Sequence, residues 1–274
     1  MSKKISKKRA ILVRKNARTD MYDEQGKEGE RFIYDFEIEL FRKKAGKKVF
    51  SIINAPNLDF YGDSCAKYIE FLLKNELEQH FKVKDYENIL YFGLGNNQIT
   101  ADAFGENVVK NLFISNGIDF AFQTAAVCPS VEAKTGLKTA EIVKAIVEKF
   151  KPDLVVFFDT LASASIVRLG CSFQINNDGI AVGSGVGNFN KFMNKKFLGV
   201  ECLVVGVPFM VYANNFIKEV DSNNKNRNLL KNLVMTTKNI DRQIILTAQI
   251  VSNAFNNLLF PQLSEDEIKN IMSV

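Results

Sequence analysis

The stretch that decides the fold runs from Asp153 to Pro208 and reads DLVVFFDTLASASIVRLGCSFQINNDGIAVGSGVGNFNKFMNKKFLGVECLVVGVP. It contains two apolar runs, Leu154–Phe158 and Cys202–Val207, separated by a polar connection that contains several glycines. Uninterrupted apolar runs of this length are typical of parallel strands that are covered on both faces. The pattern therefore predicts two buried parallel strands. Proline has no N–H for a strand ladder, so Pro208 is predicted to end the second strand.

A third apolar run, Ile89–Leu94, is followed directly by Gly95 and Asn96, and Asp159 directly follows the Leu154–Phe158 run. The carboxyl ends of parallel strands meet at one edge of a sheet, where a crevice opens as the strand order reverses. We therefore expect Asp159 and the turn at Gly95 and Asn96 to face the same crevice. Gly95 and Asn96 are predicted to contact substrate there.

The rest of the chain alternates strands and helices in a way that predicts one α/β domain. Phe32–Leu40 alternates apolar and polar residues, which is typical of a half-exposed strand, and Val49–Ile53 is its predicted partner. Helices are predicted over Ser64–Phe81, Phe104–Phe113, Thr139–Phe150 and Ile240–Leu259. With 274 residues and 46% apolar content, the chain can bury one large core without disulfides or metals.

Composition excludes several classes of protein and site. No apolar run is long enough to span a bilayer, and no apolar segment follows the charged amino terminus as in a secretion signal. The four cysteines show no CxxC spacing and are predicted to be reduced, which indicates a cytoplasmic protein. His80 is the single histidine, so a histidine-based triad or a histidine-rich zinc site is not expected. We expect neither a metal nor a cofactor.

A glycine-rich segment, GSGVGN, occupies residues 183–188. It lacks the GxGxxG spacing and the lysine of phosphate-binding loops. It is predicted instead to be a flexible loop that lines a substrate groove. The residues assigned to this role are Gly183, Ser184, Gly185, Gly187 and Asn188.

The amino-terminal arm is strongly basic. Residues 1–18 carry eight basic side chains and no acidic ones, and subtracting them from the net charge of +5 leaves −3 for the rest of the chain. Three interpretations of this arm are open: it binds nucleic acid or another acidic surface through counterion release, it is a solvated tail, or it is a removable pro-segment. Nucleic acid is expected as a partner only through this arm.

Two aspartates, Asp102 and Asp159, are candidates for chemistry, and they lie 57 residues apart in the chain. Asp102 precedes a predicted helix, so it is a candidate helix cap as well as a candidate catalytic group. Asp159 closes a buried strand, where a lone carboxylate must find a donor or shift its pKa upward. If both face the crevice, they can share one proton, so that one activates water and the other protonates a leaving amine. That chemistry is amide hydrolysis.

The segment around Asp159 resembles the spore germination endopeptidase family, the germination proteases. Members carry a similar Asp-Ala-Leu-Ala-Ser segment after the strand, and the most specific match is the Gly-Ser-Gly-Val-Gly-Asn loop at residues 183–188. Further similar segments are Arg18–Met21, Leu94–Asn96, Asp102–Gly105, Thr135–Ile142, Gly206–Pro208 and Met235–Asp241. Ala101 and Thr237 depart from the family pattern, because each stands where members have proline.

This resemblance implies a metal-independent endopeptidase with an atypical aspartic mechanism. It also implies a phosphorylase/hydrolase-like three-layer α/β fold, shared with hydrogenase-maturation peptidases, with a largely parallel central sheet and an antiparallel edge. The family's two essential aspartates correspond to Asp102 and Asp159. Members are zymogens, which predicts cleavage between Asp20 and Met21. Residues 1–20 would then be a pro-segment ahead of one peptidase-like domain, residues 21–274.

The favoured hypothesis is therefore a self-processing endopeptidase that hydrolyses peptide bonds in small proteins. Its expected partner is a protein or peptide substrate, and a homo-oligomeric state is left open. The alternative, from a different class, is a non-catalytic protein with a peptidase fold that uses its basic arm to hold nucleic acid or a partner. A metal-dependent maturation peptidase is a third hypothesis, which the shortage of histidine ligands disfavours.

Overall fold

A nine-stranded sheet organises the part of the chain that the computed structural model describes, which is residues 29–163, 165–181, 192–213 and 233–272. The strands of the described chain are β1 (Glu30–Ile33), β2 (Glu39–Ala45), β3 (Lys48–Asn54), β4 (Asn88–Gly93), β5 (Gln123–Val127), β6 (Leu154–Ser163), β7 (Ser172–Asn176), β8 (Ile180–Ala181), β9 (Phe192–Met193), β10 (Glu201–Tyr212) and β11 (Val234–Met235). The helices are α1 (Leu58–Tyr61), α2 (Asp63–Gln79), α3 (Phe104–Asn111), α4 (Glu132–Thr135), α5 (Thr139–Phe150), α6 (Lys195–Leu198), α7 (Ile240–Leu259) and α8 (Glu265–Met272).

The sheet has a parallel half and an antiparallel half. Its strand order is β1-β2-β3-β7-β10-β6-β4-β5, with β11 paired to the end of β10, while β8 and β9 pair only with each other. Strands β10, β6, β4 and β5 are mutually parallel, and β7, β3, β2 and β1 continue the sheet with antiparallel pairings. The predicted α/β class, with a largely parallel central sheet and an antiparallel edge, is confirmed.

Helices cover both faces of the sheet, which gives three layers. On one face, Leu154, Val156 and Phe158 of β6 pack in a core with residues of α2, α3 and α7. On the other face, Val155 and Phe157 pack in a second core with residues of α5 and α6. Because β6 lies between β10 and β4 and is covered on both sides, it needs apolar residues at successive positions. This is why its sequence does not alternate.

The predicted strand end at Pro208 is wrong, because β10 continues to Tyr212. Pairing of β10 with β7 involves only Val204, Val205 and Gly206, so it has ended before the proline. The register with β6 shifts between Pro208 and Met210, as at a β-bulge. A missing N–H is tolerated at such a position because the ladder is already interrupted there.

The predicted single strand over Phe32–Leu40 is also wrong. The segment divides into the end of β1 and the start of β2, which pair with each other as an antiparallel hairpin. Phe36 and Glu37 between them have positive φ values of 63° and 59°, which no regular strand accommodates. The predicted pairing with Val49–Ile53 holds for β2, which lies beside β3.

The predicted helices agree well with the structure. Helices α5 and α7 have the predicted bounds, and α2 and α3 end two residues earlier than predicted. None of the helices in the described ranges combines the length and the apolar content that crossing a bilayer requires.

Candidate active site

Asp159 lies within β6, directly after the level at which the neighbouring parallel strand β4 ends. The prediction that Asp159 closes this strand is wrong, because β6 continues to Ser163 beside β10. Phe158, the residue before Asp159, pairs with Gly93, the last residue of β4, and the carbonyl of Phe158 accepts a hydrogen bond of 2.8 Å from the N–H of Leu94. Beyond that bond the β4 chain turns away at Gly95, so one side of Asp159 is left without a neighbouring strand. Asp159 is accordingly half-buried, although Phe157 and Phe158 before it are completely buried.

Asp102 ends a short 3-10 turn, Thr100–Asp102, that contacts β6 and β10. Its Oδ2 accepts a hydrogen bond of 2.8 Å from the backbone N–H of Asn96. The helix that follows, α3, has Ala103 at its N-cap and receives no side-chain capping bond. The interpretation of Asp102 as a helix cap is therefore wrong. The carboxylate instead turns back toward the strand edge and is held by the Gly95–Asn96 backbone.

Two glycines allow this arrangement, because the backbone comes too close for a Cβ. A Cβ on Gly95, whose φ is +111°, would stand 2.1 Å from the carbonyl oxygen of Asp102. A Cβ on Gly105, in the first turn of α3, would stand 2.4 Å from the carbonyl oxygen of Phe158. The Asp102 turn is thus pressed against β6 by contacts that only glycine permits.

The two carboxyl groups interact electrostatically. Burial, reinforced by the negative charge of Asp102, raises the pKa of Asp159 to about 8, while a hydrogen bond from the N–H of Thr160 opposes the rise. Burial also raises the pKa of Asp102, against the opposing hydrogen bond from Asn96. The repulsion between the two groups falls on Asp159, which therefore holds a proton more strongly than an ordinary aspartate does. A pKa of about 8 corresponds to a largely protonated Asp159 at neutral pH.

The other predicted site residues are placed differently. The described contacts of Gly95 and Asn96 are with the Asp102 turn, and the Asn96 side chain accepts a hydrogen bond of 3.1 Å from the N–H of Gln98. Both residues thus support Asp102. The predicted substrate-lining residues Gly183, Ser184, Gly185, Gly187 and Asn188 lie outside the described residues, as do Asp20 and Met21 of the predicted processing site.

Sequence reasoning did not select Gly206 or Gln174, which extend the row of Asp159 across the sheet. Gly206 on β10 is the register partner of Asp159 on one side and of Gln174 on the other. A sequence signal was present for Gln174, since it is a large polar residue between Phe173 and Ile175 in a buried strand. The role of Gly206 depends on strand register, which sequence alone does not provide.

His80 lies at the C-cap of α2, next to Glu76 and Arg42, whose charges act on it there. Among the residues that the structure describes, no three His, Cys, Asp or Glu side chains come together as a metal-ligand set.

Comparison with known proteins identifies the family. The sequence model of the germination protease family matches residues 39–225, which is more than half of the chain. The chain belongs to the germination protease family. Membership in this family supports a peptidase function. The matched range includes both Asp102 and Asp159.

Curated germination proteases are similar over most of their length. The germination protease of Caldanaerobacter subterraneus subsp. tengcongensis is 31% identical over 273 residues, which cover 84% of this chain and 84% of that protein. The germination protease of Clostridium tetani is 30% identical over 262 residues, with 81% of each chain covered. A solved hydrogenase maturation protease, HycI from Thermococcus kodakarensis, is 17% identical, with a TM-score of 0.41 and coverage of 68% of this chain and 99% of its own.

Replacing Gly95 with alanine tests the tight contact with Asp102. The new Cβ would overlap the Asp102 carbonyl, so Gly95→Ala should lower the free energy of unfolding by roughly 2–4 kcal/mol. Gly117→Ala is the matched control, because Gly117 has a similar φ of +86° with no atom within 4 Å of its Cβ position. Gly117→Ala should lower the free energy of unfolding, measured by urea denaturation, by only about 1 kcal/mol. Equal losses for the two variants would contradict the close approach.

The buried proton on Asp159 predicts a pH-dependent effect on stability. The folded-state pKa of Asp159 lies above its unfolded value of 3.8, so stability falls as pH rises between them and levels off above about 8. Asparagine cannot ionise, so the free energy of unfolding of Asp159→Asn should equal that of wild type near pH 4. At pH 7 it should be higher than that of wild type by roughly 2–4 kcal/mol.

The control for this experiment is an aspartate with the opposite shift. Hydrogen bonds from Asn88 hold the pKa of Asp153 below its ordinary value, so Asp153→Asn should lose stability at neutral pH. Denaturant titrations at pH 4 and pH 7 measure both variants. The assignment of a buried proton to Asp159 fails if Asp159→Asn is less stable than wild type at pH 7.

Proposed function

We propose that this chain is a metal-independent endopeptidase in which Asp102 and Asp159 form an acid and base pair. The observation that carries the proposal is the interaction of the two carboxyl groups at the carboxyl end of β4, which keeps one proton on Asp159. Peptide hydrolysis needs one group that accepts a proton from water and another that donates a proton to the leaving amine. Membership in the germination protease family supports the choice of an amide bond as the target.

The large rise in the pKa of Asp159 assigns the roles. Asp159 keeps its proton and is the acid, while Asp102, whose negative charge acts on Asp159, is the base. The hydrogen bond from the Asn96 N–H orients the Asp102 carboxylate. The half-exposed position of Asp159 gives the substrate access to its proton.

The proposed reaction proceeds in three proton transfers. Asp102 takes a proton from water as the water oxygen forms a bond to the scissile carbonyl carbon. Asp159 then gives its proton to the amide nitrogen as the carbon–nitrogen bond breaks, which releases a carboxylic acid and an amine. The proton that Asp102 took from water then passes to Asp159, and the pair returns to its starting state. None of the three transfers requires a metal.

The enzyme's first substrate is proposed to be its own chain. Cleavage between Asp20 and Met21 would remove a pro-segment, residues 1–20, that includes all eight bases of the amino-terminal arm. The mature protein, residues 21–274, would then act in the cytoplasm on peptide bonds of small proteins. This proposal favours the pro-segment interpretation of the arm over nucleic-acid binding.

Intact-mass spectrometry of the purified full chain over time tests the proposal. Wild type should lose residues 1–20, whereas Asp102→Asn and Asp159→Asn should keep them, because each lacks one proton-transfer group. Asp266→Asn, an exposed aspartate at the start of α8, is the matched control and should be processed at the wild-type rate. A chelator should leave wild-type processing unchanged. Equal loss of residues 1–20 from all four proteins would contradict the catalytic roles of Asp102 and Asp159. Inhibition of processing by the chelator would contradict metal independence.

A further inference from the structure

Asp159, Gly206 and Gln174 occupy one row across three adjacent strands. Gly206 on β10 pairs with Asp159 on β6 and with Gln174 on β7. Residues paired in this way project from the same face of a sheet. The core packing agrees, because Val155 and Phe157 of β6 share one core with Cys202 and Val204 of β10, on the face of Asp159 and Gly206. Gln174 therefore lies on the face of the candidate catalytic acid, with a residue that has no side chain between them.

The amide of Gln174 is buried and unsatisfied. Its side chain is 3% exposed, and neither Oε1 nor Nε2 has a hydrogen-bond partner in the described part of the chain. Buried polar atoms in folded proteins are nearly always paired, and leaving one unpaired costs stability. An apolar side chain at this position would avoid that cost. A residue that lowers stability in the same row as the candidate acid is more readily explained by ligand binding than by packing.

We propose that Gln174 is a substrate-positioning residue, whose amide accepts a hydrogen bond from one backbone N–H of the bound peptide and donates one to a backbone carbonyl. This inference rests on the proposed peptidase function. A primary amide offers one acceptor oxygen and two donor hydrogens, which match the two hydrogen-bonding groups of a peptide backbone. The ligand class is therefore an extended polypeptide, recognised through its main chain.

The spacing of the strands locates this contact along the substrate. Neighbouring strands lie about 4.8 Å apart, so Gln174 on β7 stands roughly 10 Å from Asp159 on β6. An extended peptide advances about 3.3 Å per residue. The peptide group held by Gln174 is therefore about three residues from the scissile bond.

Leu161 lies over Gly206, between Asp159 and Gln174 in the row. Its Cγ lies 2.6 Å from the position that a Cβ on Gly206 would occupy, so its side chain covers the glycine between the acid and the amide. Rotamer changes of contact side chains are common when a protein binds a partner. A rotation of Leu161 away from Gly206 would open the row to the substrate backbone.

Methionine replaces glutamine with a side chain of similar length that has no amide, so Gln174→Met tests the role. The variant should unfold at the same temperature as wild type or a higher one, because it removes an unsatisfied buried group. Its KM should rise about tenfold, with little change in kcat, for a synthetic peptide with the sequence of residues 13–27, which contains the Asp20–Met21 bond.

Gln243 is the matched control, because it is a buried glutamine whose amide is satisfied. Its side chain is 7% exposed; Nε2 donates to Asp59 Oδ2 at 2.8 Å, and Oε1 accepts from the Thr237 hydroxyl. Gln243→Met should unfold at a lower temperature and keep the wild-type KM. An unchanged KM in Gln174→Met overturns the proposal, whether or not its stability changes.

A binding measurement separates this inference from the proposed function. The same peptide is titrated into Asp159→Asn and into the double variant Asp159→Asn with Gln174→Met. Binding about tenfold weaker in the double variant supports the role of Gln174 even if wild type cleaves nothing, in which case only the peptidase proposal fails. Equal affinity of the two variants, or no binding to either, overturns the inference.

Discussion

The close approach of the Asp102 turn to β6 is the constraint on which the site depends. It brings a second carboxylate next to Asp159, which raises the pKa of a group that burial has already made difficult to ionise. The approach requires glycine at positions 95 and 105, where a Cβ would overlap backbone oxygen atoms. The chemistry of the pair thus follows from backbone packing. Burial raises the pKa of both carboxyl groups, and the negative charge of Asp102 raises that of Asp159 further.

The central sheet explains why this edge is available. Strands β4 and β5 end first, whereas β6 and β10 continue past the last pairing residue of β4, so Asp159 has a neighbour on β10 but an open side toward the Gly95 turn. The antiparallel strands on the other side of β10 add Gln174 to the same row. The row of Asp159, Gly206 and Gln174 combines an acid and an amide with a glycine between them, which Leu161 covers. With Leu161 rotated away, the row would suit an extended peptide that crosses the strands.

Much of the fold could be predicted from the sequence, because its buried elements carry strong periodic signals. The apolar residues at 154–158 predicted β6, and the apolar stripe of Thr139–Phe150 predicted α5 with the bounds that the structure has. The strand end predicted at Pro208 is wrong because a proline is tolerated where the pairing with β7 has already ended, and the sequence does not show where it ends. The left-handed backbone at Phe36 was not predicted because it does not change the alternation of apolar and polar residues. The nearness of Asp102 and Asp159 could be inferred only from their predicted positions at strand ends. The missing hydrogen-bond partners of Gln174 could not be inferred at all, because they depend on everything packed around it.

A carbon-13 NMR titration of the aspartate carboxyl groups tests the central claim most directly, because it observes each proton without requiring a substrate. In the wild-type protein, Asp159 should titrate near the value of about 8 that burial and Asp102 impose. In Asp102→Asn its pKa should fall, since the neighbouring negative charge is gone. An Asp159 pKa that is the same in both proteins would contradict the account, because the two acids would then not share a site.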